Sequence, residues 1–475
     1  MVRSTAVLLG MLLVFSEMPA THAAISARYG GVLKVALPGI PFYMDPAHIM
    51  TLSDRIAVSL MFETLFSIGP DNEPRPSLVY DYSVSDDQME YTFHLKPFLE
   101  FQDSGRLTAD DVIYTFKRLL SPKRPSEYAW LLFSIKGAKA YNEKKAASIE
   151  GLQKINDITF KVVLSKPDNS FLKKLAALPT AIVPFGIDYR RSAFGRRPLG
   201  CGPFEFAGFL EQGGVALRAW TGHFKGRPFL DRVELVPPGK KPVDISLDHS
   251  ARVLPRTSII ESKPWRLVIL EPGDRLDLSK PGLRQAMFSL LERRSLAERF
   301  GRGRTRAVMG LDPFKDSRIF NPMTSTAAAA RIIAAEVPSK IVILARKNPT
   351  ERTGLAQAIA RAMERAGLHV EVDSEDPLGF IRVLNLKLFD FMIKSVDPFI
   401  QDPVLEQEQL AGDYRARSIE ELTSSLSFFP LFYESTSIEF SQRLMGLHMR
   451  QDGTLNLEDV WIAPDIQDKK ADGEK

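Results

Sequence analysis

Residues 340–372 read KIVILARKNPTERTGLAQAIARAMERAGLHVEV. Lys340–Ala345 is a short apolar run of strand length. Leu355–Ala366 has helical spacing, with Leu355, Ile359 and Met363 on one face, and Gly367 supplies the turn that ends it. A second strand, Leu368–Val372, follows at once. Strand, crossover helix and strand in that order predict a βαβ unit on a parallel sheet, so the chain is α/β here.

Working outward, Arg266–Leu270 reads as another strand and Leu283–Phe300 as a helix with Leu283, Met287, Leu290, Leu291 and Leu296 inward. Nearer the start, Val32–Leu37 is a strand closed by Pro38 and Gly39, and residues 41–46 (PFYMDP) form a turn. Residues 53–66 read as an amphipathic helix capped by Ser53. A meander follows, with alternating strands at Tyr80–Ser85, Glu90–Leu95 and 155–164. Between them Thr108 and Asp111 form a capping box for a helix carrying Val112, Phe116, Leu119 and Leu120. Acids in a first turn answer the helix dipole, so Asp110 and Asp111 are read as structural. Pro179, Pro184, Pro198 and Pro203 mark a crossing between domains, and strands return at Leu217–Trp220 and Val233–Val236. Two α/β regions joined by crossings enclose a cleft, the usual place for a small ligand.

The bulk properties narrow the class. Arg3 and the apolar run Ala6–Phe15, then Thr21, His22 and Ala23, read as an export signal cleaved after Ala23 or Ala24. Ten apolar residues reach only about 15 Å as a helix, roughly half a bilayer core. No cysteine follows the cleavage region, so a free periplasmic protein is expected rather than a lipoprotein. The remainder, roughly 450 residues, is too long for one core. With 62 basic and 58 acidic residues the net charge is +4, which does not argue for nucleic acid. The run Arg293, Arg294, Arg299, Arg302, Arg304, Arg306 reads as a solvated helix end and loop. Cys201 is the single cysteine, read as a small buried residue between Gly200 and Gly202. The sequence contains no phosphate loop, H-E-x-x-H, G-x-S-x-G or GxGxxG signature, and its seven histidines are dispersed. A binding module without catalytic residues, metal or cofactor is expected.

Four segments in order resemble a known family. Tyr91–Val112 (YTFHLKPFLEFQDSGRLTADDV) is similar to an aromatic strand leading to an F-x-D-G loop and T-A-x-D-V, with Ser104 inserted before Gly105. Leu199–Phe204 (LGCGPF) resembles a G-T-G-P-Y turn with Cys201 for Thr. Trp220–Val233 (WTGHFKGRPFLDRV) and Leu283–Met287 with Glu292–Arg294 supply the other two, and Asp45-Pro46 and Phe62–Leu65 (FETL) add to them. Together they resemble the extracytoplasmic solute-binding proteins of family 5, the peptide- and nickel-binding components of ABC importers. The resemblance implies a periplasmic-binding-protein-like, two-lobed (Venus flytrap) α/β fold with an extra subdomain in the first lobe. It also implies capture of a small peptide or similar solute between the lobes, for a membrane permease, by a monomer.

On that frame, residues 1–23 are the signal. Residues 24–66, 177–260 and 425–465 form the first lobe core, 67–176 its subdomain, 261–424 the second lobe and 466–475 a charged tail. In peptide-binding relatives an Asp of the second lobe holds the peptide amino terminus; Asp397 is the residue here that resembles it, at a shifted spacing. Phe42, Tyr43, Trp220 and Phe399 are the candidate aromatic lining. The stretch from Asp402 to Phe428 is shorter than the family's. That favours the alternative expectation, an envelope protein with a degenerate cleft acting through protein–protein binding.

Overall fold

β1 (Val32–Ala36) buries Leu33, Val35 and Ala36 and stops where Pro38 and Gly39 interrupt the run. The structure, a computed structural model, describes residues 28–464 except 191–193, 240, 248–250, 254–255, 277, 279, 302–303, 309–325, 338–339, 348–349, 397, 399–404, 406–427 and 451. After β1 comes α1 (Leu52–Met61), capped by Thr51, whose Oγ1 accepts from the Asp54 N–H at 3.1 Å, rather than by Ser53. It is shorter than the expected 53–66, because Phe62 is already extended where the chain meets the Leu199–Phe204 turn. All ten residues of α1 are buried, so each polar side chain on it needs a partner.

The chain then makes a four-stranded antiparallel sheet from β2 (Val79–Val84), β3 (Glu90–Leu95), β4 (Leu152–Asn156) and β5 (Thr159–Val163), ordered β2-β3-β5-β4. The single strand expected over 155–164 is in fact this last hairpin. Asn156 and Asp157 turn the chain, and Asn156 Oδ1 accepts from the Ile158 N–H. α2 (Ala109–Leu119) packs beside the sheet with the expected capping box; Asp111 Oδ2 accepts from the Thr108 N–H at 2.7 Å.

Next come β6 (Phe204–Phe209), β7 (Val215–Ala219), β8 (Arg232–Val236), β9 (Ile245–Leu247) and β10 (Thr257–Glu261). The chain crosses to a second layer through β11 (Arg266–Pro272), α3 (Pro281–Ser289), α4 (Arg293–Phe300), β12 (Thr305–Ala307) and α5 (Thr326–Glu336). There follow β13 (Lys340–Arg346), α6 (Thr350–Glu364), β14 (His369–Glu375), α7 (Pro377–Leu386), β15 (Phe391–Val396) and β16 (Phe429–Glu434). β17 (Ser437–Ser441) lies back in the first layer.

The first sheet has the order β10-β17-β9-β1-β8-β7-β6, with β1 parallel to both β8 and β9. The second has the order β12-β16-β11-β15-β13-β14. The βαβ unit at 340–372 is present as β13, α6 and β14, paired in parallel from Lys340 opposite His369 to Arg346 opposite Glu375.

Two expectations are corrected. The helix over 283–300 is two helices, because Glu292 is non-helical at ψ 68°. α3 packs on α5 while α4 covers β12 and β16, so the five apolar residues are all buried, on two axes rather than one. The return to the first lobe, expected at residue 425, comes later, since β16 pairs with β11 in the second sheet.

The two halves of the family-like motifs meet at the end of α1. Gln102 Nε2 donates to the carbonyls of Met61, Gly202 and Phe204, and Gln102 Oε1 accepts from the Gly200 N–H. Gly200 and Gly202 lie so close to the helix end that an added Cβ on Gly200 would stand 2.0 Å from the Met61 carbonyl oxygen. Glycine is therefore required by contact. Gly200→Ala should destabilise the protein by about 1–3 kcal/mol, as overpacking does. Urea unfolding checks this: an unchanged midpoint would contradict the packing described.

Candidate functional site

Sheet direction places the site. Parallel strands carry their carboxyl ends to one edge, and side chains from the following loops converge there. In the first sheet that edge holds the residues after β1, including Phe42 and Tyr43. β17 is antiparallel to β9 and begins there at Ser437; β10 ends there at Glu261. In the second sheet, β13 pairs in parallel with β14 on one side and β15 on the other, a point where strand order reverses. In open α/β sheets ligands bind beyond the carboxyl ends of the strands at such a point, which here means beyond β13 and β15.

Two chain passages join these edges, and they are paired. Ser262 N donates to the Thr436 carbonyl at 3.0 Å, Thr436 N to Ser262 Oγ at 2.9 Å, and Trp265 N to the Glu434 carbonyl at 3.0 Å. At the second-sheet end of this ribbon, Glu434 is fully buried. Its carboxylate pairs with Arg266, at 3.4 Å, and with Arg352 from the first turn of α6. Arg352 also donates to Ser395 Oγ at 2.9 Å, so α6 is pinned to the end of β15. A buried carboxylate between two guanidiniums is retained only with such partners.

α1 reaches across the same space. Arg55 Nη1 donates to the Pro398 carbonyl at 3.0 Å, just beyond β15, and to the Asp452 carbonyl at 3.5 Å; its guanidinium lies 5.8 Å from the Trp265 ring. One buried cation thus touches the first sheet's helix, the ribbon and the exit of the second sheet's β15.

The loop that carries Phe42 and Tyr43 is held from below. Asp54 Oδ1 accepts from the Phe42 N–H at 2.9 Å and the Tyr43 N–H at 3.3 Å. Burial pushes the Asp54 carboxyl above its ordinary value in spite of these donors. Asp45 takes both arms of Arg118, at 2.8 and 2.6 Å, and Asp188 lies on the Arg118 Nε at 2.9 Å. Arg124 bonds Asp188 and the Tyr43 hydroxyl. Burial, with the Asp45 charge, raises the Tyr43 phenol above its usual value.

The sequence-derived candidates fall in different places. Phe42 is exposed on the cleft-side edge with Tyr43 half-buried beside it. Asp397 and Phe399 lie outside the described residues, although the chain enters them directly from β15 and Pro398. Trp220 is corrected. It follows β7, which runs opposite to β8, so it sits at the amino-terminal edge, away from the ribbon, buried with its N–H on the Pro203 carbonyl. The FETL residue Glu63 is at that same far edge. Burial opposes its ionisation, but the hydrogen bond with His223 and the charge of Lys225 outweigh burial and hold its carboxyl well below the usual range. Cys201 is buried, and burial with the nearby Glu63 charge raises its thiol far above normal, which removes it as a nucleophile. Sequence reasoning missed Arg55, Arg266, Arg352 and Glu434. Arg55, Arg266 and Glu434 are charged residues in otherwise core-like runs, and that was the available signal; Arg352, in the polar start of α6, gave none.

Residues 73–242 match the model described as "Bacterial extracellular solute-binding proteins, family 5 Middle". That segment, roughly a third of the chain, is similar to family 5 of the bacterial extracellular solute-binding proteins. The chain is 28% identical over 189 residues to Di/tripeptide-binding protein 4 of Pseudomonas aeruginosa, 36% of this chain and 34% of the relative. It is 27% identical over 255 residues to Di/tripeptide-binding protein 2 of the same organism, 49% of this chain and 44% of the relative. The match thus spans less than half the length of either relative. The shape agrees over more of the chain. The oligopeptide-binding protein AppA of Bacillus subtilis, solved with a nonapeptide, superposes with TM-score 0.73 at 18% identity, covering 92% of this chain and 100% of AppA. AgaA of Agrobacterium tumefaciens R10, solved with agropinic acid, gives 0.74 at 20% identity, over 91% and 99%. The two-lobed periplasmic-binding fold expected from the sequence is therefore present.

The Asp188 cluster gives a pH test. Burial would raise the Asp188 carboxyl, but its bonds to Arg118 and the charge of Arg124 outweigh that and lower it. A carboxylate lowered in the folded state adds stability above its unfolded pKa, about 4, and loses it as pH falls through the folded value. Asp188→Asn should be less stable than the parent at pH 7, with the gap closing below about pH 4. Urea unfolding from pH 7 to 3 measures it; a gap constant with pH would contradict the assignment.

Proposed function

We propose that this protein captures a small peptide or a solute of similar size between its two sheets and delivers it to the permease of an ABC importer. The observation that carries the reading is the facing of two strand-end edges across a paired ribbon, with Arg55 bridging them. The family 5 match over residues 73–242 and the likeness to AppA support it. Closure of the lobes on a solute would replace its water with fixed donors and acceptors, and only the closed form would then suit the permease.

Asp397 is the proposed anchor for the peptide amino group, on the strength of its place in the chain directly after β15. Phe42, Tyr43 and Phe399 are the proposed aromatic lining. Export through residues 1–23 and work as a free periplasmic monomer complete the proposal. Among the described residues no helix is long and apolar enough to cross a membrane, which accords with it. The degenerate-cleft alternative gains no support from the relatives.

Native mass spectrometry of protein released gently from a periplasm should show a bound mass that disappears on denaturation. Addition of a defined pool of di- and tripeptides to stripped protein should raise its melting temperature, since a ligand that binds only the folded state stabilises it. A bare protein, unmoved by the pool, would overturn peptide capture. If Asp397 is the anchor, Asp397→Ala should weaken the best peptide about tenfold or more, the worth of one charge-assisted hydrogen bond. Unchanged affinity in a calorimetric titration would remove that role.

A further inference from the structure

Arg196 is exposed, and its guanidinium lies between two phenyl rings, 5.6 Å from the centroid of Phe42 and 5.8 Å from that of Phe209. No carboxylate among the described residues is paired with it. That contrasts with its surroundings, where Arg118 and Arg124 are satisfied by Asp45 and Asp188. Both rings are about half exposed, 51% for Phe42 and 48% for Phe209, so the pair and the cation beside them are open to a solute.

The platform is rigid and correctly placed. Phe209 lies opposite Val215, which pairs with Leu235, which pairs with Val35, so Phe209 is level with the carboxyl end of β1. It therefore stands on the same edge of the first sheet from which the ribbon leaves. Phe42 is fixed through its N–H to Asp54, and the Arg196 segment through the Gly195 carbonyl, which accepts from the Met44 N–H at 2.6 Å. Gly195 itself presses on the Tyr43 ring, where a Cβ would stand 2.3 Å from the ring carbon Cε2. Phe206 packs edge-on against Phe209 at 5.3 Å. A guanidinium stacked in this way keeps its N–H edge free for a planar, bidentate acceptor.

We propose that Arg196, clamped by Phe42 and Phe209, is an anchoring cation for a carboxylate of the captured solute, which makes the ligand an acid and not a neutral or cationic compound. This rests on the reading of the strand-end edge as the solute site. Charge alone would not need the rings. Contact with two rings narrows the positions open to the guanidinium before binding, so less side-chain freedom is lost when the carboxylate arrives.

The test uses the full-length protein as secreted, stripped of solute, and a panel of matched pairs: di- and tripeptides with free carboxyl termini against their amides, and simple mono- and dicarboxylic acids against their amides. Binding is read by thermal shift and calorimetry for the parent, Arg196→Gln and the control Arg197→Gln. The exposed position of Arg196 predicts an unchanged melting temperature for unliganded Arg196→Gln. The expected result is that the parent prefers acid over amide by about tenfold or more, that Arg196→Gln loses the preference and that Arg197→Gln keeps it. Equal binding of acid and amide, or a preference that survives in Arg196→Gln, would overturn the proposal, as would a panel in which no acid favours the parent over that variant. The arms separate the two readings. Peptides that bind without acid preference would sink the Arg196 role and leave peptide capture standing. Non-peptide acids that alone bind, through Arg196, would do the reverse.

Discussion

Glu434 sits fully buried where the chain passes from one sheet to the other, and its carboxylate binds Arg266 on one passage and Arg352 at the head of α6. Removing one partner from a buried ion pair costs about 3–5 kcal/mol, because the other charge is left in the dry interior. The cluster therefore ties three things together: the returning strand, the outgoing strand and the helix whose first turn lies beyond β13. Through Ser395 it reaches β15, and so fixes the level at which the chain enters Asp397 and Pro398.

The first sheet solves the same problem with a helix. α1 is buried along its whole length, yet it carries Ser53, Asp54, Arg55 and Ser59. Asp54 spends its lone pairs on the Phe42 and Tyr43 amides, and Arg55 donates to Pro398 beyond the second sheet's β15 and to Asp452 on its own side. The polar residues are therefore the means by which a rigid element shapes a loop on one side and contacts the opposite lobe on the other. Arg196 differs from these charges because it is stacked rather than paired, and its charge faces solvent.

The segments that made the family legible do other work. Gln102, Gly200 and Gly202 close the first lobe around the end of α1, and Glu63, His223 and Lys225 pin the edge remote from the ribbon. These are scaffold contacts, and none of them lies at the strand-end edges where a solute would sit.

Local chemistry was enough for much of the fold. The βαβ unit at 340–372, the capping box at Thr108 and Asp111, the strands at 32–36 and 90–95 and the buried state of Cys201 follow from periodicity, capping and side-chain volume over a few residues. The hairpin at 152–163 and the break at Glu292 needed more, since the competing extended or helical forms differ by small local energies and packing chose between them. The site needed the tertiary structure outright. Glu434 and Arg266 are 168 residues apart in the chain, Arg55 and Pro398 343, and no spacing rule links them. Strand direction, which is a property of the whole sheet, put Phe42 on the cleft edge and Trp220 on the opposite one, although both are aromatic residues next to turns. The sequence by itself determined most of the elements and the likeness to family 5; which charged and aromatic side chains face one another across the cleft was decided by the parallel ordering of two sheets and the ribbon that joins them.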